Sequence, residues 1–433
     1  MKPKIFSDFL RAFGARKTAT ADTLSELAQA LLSGRGEASG VAMASQLLDA
    51  YVRASDEVRI DFLLRLARDF GPDPALLARS IDAYAKKPGP QTAQALHGAA
   101  ESRRQELIRR MNLAPGAMPH LMKMREDVLQ RLKALPELAL LDADFTHLYS
   151  SWFNRGFLNL RRIDWSTPAD ILEKIIAYEA VHAIDSWDDL RLRLLPRDRR
   201  CFAFFHPTLP DDPLIFVEVA LTTEIPDDIS ALLAPARRAL DPEKATTAVF
   251  YSISNCQKGL RGVSFGNFLI KQVVEELQRE LPRIKTFVTL SPVPGFMSWL
   301  KATRQSTSPL LGKGQRELLN LLDQPDWERD AASIKALEPV MKRALLSYLV
   351  DSKDKQDKPL DAVARFHLGN GARLEQVNWM GDTSAKGIKE AGGFMVNYLY
   401  DLDRIESNHE RYAYDGEVAL STRLRRMHEA KPG

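Results

Sequence analysis

The sequence predicts a mixed α+β protein in two parts: an all-α helical bundle over residues 1–149, then an α/β domain over 150–433. Three observations carry this. Up to about Tyr149 the apolar residues recur with helical period and no strand alternation intrudes. Beyond it, β-branched and aromatic runs bounded by turn residues appear. Between Thr246 and Leu290 a strand, a glycine-rich loop, a helix and a second strand follow in order.

In the first part, "DTLSELAQALLSG" pairs Thr23 and Glu26 as a capping box ahead of Leu24, Leu27 and Leu31, which share one helical face. "SDEVRIDFLLRLARDF" repeats the pattern with Phe62, Leu63, Leu66 and Phe70. "GPDPALLARSIDAYAKK" opens on Asp73 as N-cap with Pro74 at the first helical position. "KKPGPQ" and "NLAPGAMP" are breaks between helices. The amino-terminal "MKPKIFSDFLRAFGARKTATAD" is basic and mildly amphipathic. It reads as a first helix or as a weak match to a mitochondrial presequence, a pattern that Asp8 spoils.

In the second part, "CFAFFHP" (Cys201–Pro207), "LIFVEVALT" (Leu214–Thr222), "TTAVFYSIS" (Thr246–Ser254) and "KTFVTL" (Lys285–Leu290) read as strands. "FGNFLIKQVVEELQRE" is a helix with Phe265, Phe268, Leu269, Val273 and Leu277 on one side. Helical sequence dominates from Gln315 to Asp351, and "ARFHL", "EQVNWM" and "FMVNYLYDL" read as the final strands.

Composition excludes several function classes. With 60 Lys+Arg against 57 Asp+Glu, a net charge of +3 is too balanced for a nucleic-acid binder. No apolar run approaches the ~18 residues of a membrane span, so a soluble chain is expected. Cys201 and Cys256 lie far apart without metal-like spacing, which favours a reducing compartment. Without a signal-peptide core or a carboxyl-terminal Ser-Lys-Leu address, the expected compartment is the cytoplasm.

Four segments are candidates for chemistry. In "QKGLRGVSFG" Gly259, Gly262 and Gly266 permit close backbone approach, Lys258 and Arg261 add charge, and the loop leads into a helix N-terminus suited to phosphate. It is no P-loop, since no Gly-Lys-Ser/Thr follows, and a plain surface loop is the alternative. "GVSFG" also matches the G-x-S-x-G elbow, but the polar segment between Ser254 and Ser264 argues against Ser264 as a nucleophile. "TLSPVPGF" sets Ser291 at a strand end, where Pro292 and Pro294 stop the ladder; turn and site both fit. In "RFHLGNGA", His367 has the most site-like setting of the eight histidines, the other seven reading as structural or surface residues. In "GGFMVNYLYDL", with Asn397, Tyr398 and Tyr400, the two tyrosines share one face of a strand and read as core.

Taken together, "FYSISNCQKGLRGVSFGNFLIKQVVEELQRELP", "TLSPVPGFMSWL", "RFHLGNGARLEQVNWMGDTSAKGI" and "MVNYLYDL" resemble the malonyl-CoA decarboxylase family, with "WFNRGFLNLRRIDWSTP" and "YEAVHAI" extending the likeness upstream. The resemblance implies an α-helical oligomerisation domain, assembling as a homotetramer, before a catalytic domain with the GCN5-related N-acetyltransferase fold. It implies that malonyl-CoA is decarboxylated to acetyl-CoA and CO2 with no metal or organic cofactor, and with neither nucleic acid nor membrane as partner. By the same resemblance Ser291 and His367 are the catalytic pair. Arg261, Gly262, Val263, Ser264, Phe265, Gly266 and Asn267 form the CoA-contacting loop, and Tyr400 lines the site. The loop departs from the acetyltransferases' Q/R-x-x-G-x-G/A spacing. In this reading Ser291 orients the carboxylate, and His367, with an ordinary pKa near the working pH, protonates the enolate. Other functions considered are acyl transfer from CoA to an amine, hydrolysis through Ser264, and a non-enzymatic CoA-sensing scaffold.

Overall fold

The structure is a computed structural model that describes residues 20–34, 36–263, 269–306, 311–355 and 357–430. Two compact units emerge: Met1–Leu158 with His206–Pro210 and Gln257–Phe265, and the remainder of the chain.

The first unit is helical: Ala21–Ser33, Glu37–Arg53, Asp56–Asp69, Pro74–Lys86, Pro90–Ala100, Arg103–Met111, Ala117–Arg131 and Ala139–Trp152. Leu24, Leu27, Leu31, Phe62, Leu63, Leu66 and Phe70 are all buried, as their spacing requires. Asp73 caps its helix by accepting from the amides of Ala75 and Leu76. The first cap differs from the expected one. Thr20, not Thr23, is the N-cap and accepts from the Thr23 amide, because the helix starts a turn earlier than its leucines reveal. The helix expected before it lies outside the described residues.

The loop after Asn255 belongs to this unit. Buried Arg125 donates to the Gly259 carbonyl at 2.8 Å, and is itself held by Asp142 and Thr146. Gly259 approaches a helix rather than leaving room for a ligand, since a Cβ there would lie 2.3 Å from the Met122 carbonyl oxygen. Gly259→Ala should therefore destabilise the protein by about 1–3 kcal/mol, as overpacking does. A denaturant midpoint equal to that of the unsubstituted protein would refute this.

The second unit is built on one sheet: β1 (Asn159–Ile163), β2 (Arg199–Phe205), β3 (Ile215–Thr222), β4 (Thr247–Asn255), β5 (Thr286–Thr289), β6 (Ser291–Pro292), β7 (Arg373–Asn378) and β8 (Met395–Leu399). Strands β1 to β5 pair in sequence order, β5 pairs β8, and β6 and β7 also pair β8. Only β4 and β5 run parallel. The helix Leu269–Glu280 between them supplies the crossover that a parallel pair needs. Phe265 and Phe268, expected on that helix, lie outside the described residues.

The parallel ladder ends at Phe250 and Thr289, although β4 continues to Asn255. At that point the β3–β4 register slips, with Glu218 opposite Ser252 and Val219 opposite Phe250. Tyr251 is the extra residue, and such bulges bend a strand away from its neighbour.

Two strand expectations are corrected. β1 was not foreseen: "NLRRI" is mostly exposed and polar, so it carries no alternation signal. "ARFHL" is not a strand but part of the helix Ala362–Gly369. Asp361 caps that helix through the Ala364 amide at 2.8 Å, and its buried residues Ala364, His367 and Leu368 recur at three and four, not two. Five residues are too few to separate those periods.

Candidate active site

Ser291 lies where β5 gives way to β6. The prolines do not end the ladder: Ser291 and Pro292 still pair with Val396 and Met395 of β8. Proline is tolerated because β6 is only two residues long. Thr289 and Ser291, two residues apart, present hydroxyls to each other, and Ser291 Oγ donates to Thr289 Oγ1 at 2.9 Å.

His367 enters from the helix Ala362–Gly369. Its Nε2 is 3.2 Å from Ser291 Oγ and its Nδ1 is 2.8 Å from Tyr400 Oη. The ring stacks on Tyr398, centroids 4.6 Å apart. Thus Tyr398 and Tyr400 do share a face, and that face holds the imidazole. After His367 the helix stops at Asn370 and Gly371, where φ is +80° and a Cβ would lie 2.0 Å from the Ile405 carbonyl oxygen. Only glycine meets both conditions.

Hydrogen-bond directions around the ring form one consistent chain. Ser291 gives its proton to Thr289, so His367 Nε2–H donates to Ser291 Oγ and Nδ1 accepts from Tyr400. Thr289 Oγ1 also accepts from the Tyr398 amide at 3.1 Å. Asn397, fully buried, anchors the same turn by donating to the Thr289 and Pro226 carbonyls and accepting from Asn378. Thr289 was missed as a site residue; the i, i+2 hydroxyls of "TLS" are the signal that could have found it.

Ser291, His367 and Tyr400 are 6%, 3% and 2% exposed. Burial pushes the imidazole pKa from 6.5 down to about 3 and the Tyr400 phenol upward. The sequence expectation of a pKa near neutrality is therefore overturned: burial lowers it, and among the described residues no carboxylate is bonded to the ring to hold a positive charge. The sign of the stability effect follows. Between about 6.5 and about 3 the unfolded chain binds a proton at His367 that the folded one does not. That contribution to stability is complete above the upper value and is lost as pH falls through the window. Urea midpoints at pH 7 and pH 5 should therefore differ less in His367→Asn than in the parent protein; an equal difference would refute it.

Of the other predicted residues, Arg261, Gly262 and Val263 belong to the first compact unit. Arg261 and Gly262 are exposed on the turn after Lys258–Leu260, Gly262 has φ +79°, and Val263 is buried. Ser264, Phe265, Gly266 and Asn267 lie outside the described residues. His206 has the structural role expected of it, bonding to Thr208 and the Trp152 carbonyl. Among the described residues no group of three His, Cys, Asp or Glu side chains is placed to hold a metal ion, and no helix is long and apolar enough to cross a membrane.

The chain matches the family model described as malonyl-CoA decarboxylase C-terminal domain over residues 156–432, and that described as the N-terminal domain over 70–153. The mitochondrial malonyl-CoA decarboxylase of the goose Anser anser anser is 36% identical over 399 residues, 84% of this chain and 79% of its own length. That of Rattus norvegicus is 33% identical, over 84% and 81%. The crystal structure of malonyl-CoA decarboxylase from Rhodopseudomonas palustris aligns with a TM-score of 0.91 at 54% identity, covering 94% of this chain and 99% of that one. The Agrobacterium vitis structure gives 0.89 and 53%, over 94% and 100%.

Matches of this length define the class: the protein is a decarboxylase, a carbon–carbon lyase. Both of its parts point to one enzyme, and the chain belongs to the malonyl-CoA decarboxylase family.

Proposed function

We propose that the chain converts malonyl-CoA to acetyl-CoA and CO2 at Ser291 and His367. The observation that carries this is the buried chain Tyr400–His367–Ser291–Thr289, which joins a hydroxyl to a proton-bearing nitrogen within 3.2 Å. The thioester carbonyl is the electron sink, so the reaction needs neither a metal nor an organic cofactor. Loss of CO2 breaks the bond from the carboxyl carbon to the α-carbon and leaves an enolate, which must take up one proton.

When substrate binds, the Ser291 hydroxyl turns its proton from Thr289 to the departing carboxylate and holds it by a hydrogen bond. A neutral hydroxyl stabilises that charged ground state less than a salt bridge would, which keeps the barrier low. His367 delivers the proton from its neutral Nε2–H to the α-carbon; the imidazolate left behind is stabilised by the Tyr400 hydroxyl at Nδ1 and takes a proton back from solvent, one per turnover, and that hydroxyl also keeps the tautomer and orients the ring. Since the imidazole is already neutral down to about pH 3, kcat/KM should show no acid limb with a pKa near 6.5. A limb there that disappears in His367→Asn would contradict the neutral donor.

Arg261 to Asn267 take the CoA pyrophosphate, the backbone supplying N–H donors and Arg261 the charge. Self-association runs through the helical unit as a homotetramer. In its support, the helices Pro74–Lys86 and Pro90–Ala100 bury almost nothing and expose Leu76, Ile81 and Tyr84. The compartment that the sequence favours is the cytoplasm. The deciding experiment is incubation with malonyl-CoA and no amine. Acetyl-CoA and CO2 are expected in equal amounts; malonate and free CoA would mean hydrolysis, and no turnover would mean a CoA-binding scaffold.

A further inference from the structure

A cavity of ≈ 570 Å³ opens along the outer side of β7, between the helix Ile405–Asp415 and the start of the helix Thr422–Glu429. Five arginines line it, Arg373, Arg404, Arg411, Arg423 and Arg425, against one carboxylate, Glu375. Two of the five are already matched: Arg373 by Glu375 at 2.6 Å and Asp401 at 3.6 Å, and Arg411 by Glu417 at 3.1 Å. Arg404, Arg423 and Arg425 are exposed and have no carboxylate partner among the described residues. A chain whose net charge is only +3 has thus concentrated unpaired cations in one concave place.

We propose that this cavity binds a small, multiply phosphorylated anion. Guanidinium groups present paired N–H donors that match phosphate oxygens, and three unpaired ones ask for more charge than a single carboxylate carries. Ser421 caps the helix Thr422–Glu429. Thr422 and Arg423, which line the cavity, open that helix, and amides of a first helical turn have no intrahelical acceptor and add donors of the same sign. The volume falls within the range of about 300–1,000 Å³ typical of small-molecule sites, and a concave site fits a compact ligand better than a polymer.

The walls connect to the supports of the buried trio. Asn408, which lines the cavity, donates to the Gly371 carbonyl at 3.1 Å, and His409 Nδ1 lies 2.7 Å from the Gly369 carbonyl. Both contacts join the wall helix to the turn that ends the His367 helix. Arg373 reaches Asp401, the residue after Tyr400. A bound anion that gathers Arg404 and Arg423 across the cavity therefore steadies both supports. Binding itself does not depend on the roles proposed for Ser291 and His367.

The test is titration calorimetry of the full chain with inorganic triphosphate, at low salt and with CoA saturating so that any pyrophosphate loop is occupied. One site is expected per chain, weakened by added salt. In the triple variant Arg404→Ala, Arg423→Ala, Arg425→Ala its affinity should fall roughly tenfold or more, with KM for malonyl-CoA and the melting temperature unchanged. Four results would overturn the proposal: no saturable binding, equal binding by the variant, a parallel rise in KM for malonyl-CoA (the cavity then serves CoA itself), or tighter binding to RNA or anionic vesicles than to triphosphate. Because turnover is measured separately, loss of the phosphate site and loss of the decarboxylase assignment are distinguishable.

Discussion

Replacing His367 with asparagine is expected to lower kcat by ~10²–10⁴, the usual worth of a positioned proton transfer, while CoA binds with near-normal affinity. Asparagine keeps a polar side chain against Ser291 and Tyr400 but has no group that can hand a proton to an enolate. The imidazole is set by contacts on every side: Tyr400 at Nδ1, Ser291 at Nε2 and Tyr398 on its face. A misplaced rather than missing donor is separated by Tyr400→Phe, which keeps the ring but frees Nδ1 and should cost less. Steady-state release of acetyl-CoA and calorimetry with CoA are the measurements. An Asn variant within roughly tenfold of the parent in kcat would remove His367 from the chemistry.

Ser291→Ala is expected to cost ~10²–10³ in kcat, comparable to the loss of one preorganised donor at a reacting group. KM should change less than kcat, because CoA supplies most of the binding surface. The substitution also leaves His367 Nε2–H without its acceptor in a buried place, at about 1–3 kcal/mol of stability, so melting must be recorded beside turnover. Ser291 is assigned to hold the carboxylate, not to attack the thioester. Intact-mass measurement under turnover should therefore find no acyl group on the protein. A malonyl adduct that disappears in Ser291→Ala would replace the orienting role by a nucleophilic one.

Local sequence carried much of the fold. Asp73 with Pro74, the leucines after Thr20, and the stripe Phe62, Leu63, Leu66, Phe70 each state a helix within one or two turns. The strands from Cys201 to Leu290 were equally legible, since β-branched and aromatic residues sit between clear turn signals. Where local signals fail, the reason is specific. β1 is polar because most of it faces outward, and the His367 helix is too short for its period to show, so its cap at Asp361 decides its state.

Ser291 and His367 each stand out in the sequence, but their relation does not. They are 76 residues apart, and Tyr400 is 33 beyond the histidine. By itself, the sequence determined the two-part organisation, most helix and strand positions, and the segments in which the reactive side chains sit, because caps, periodicity and turn residues act over a few residues. Only the tertiary structure decided that β8 brings Tyr398 and Tyr400 to the His367 ring, and that Gly259 accommodates a helix carbonyl rather than a ligand. It also decided that the imidazole is neutral. Desolvation is the sum over all neighbours of a buried group, and those neighbours are assembled by sheet pairing and helix packing, which no single stretch of chain encodes.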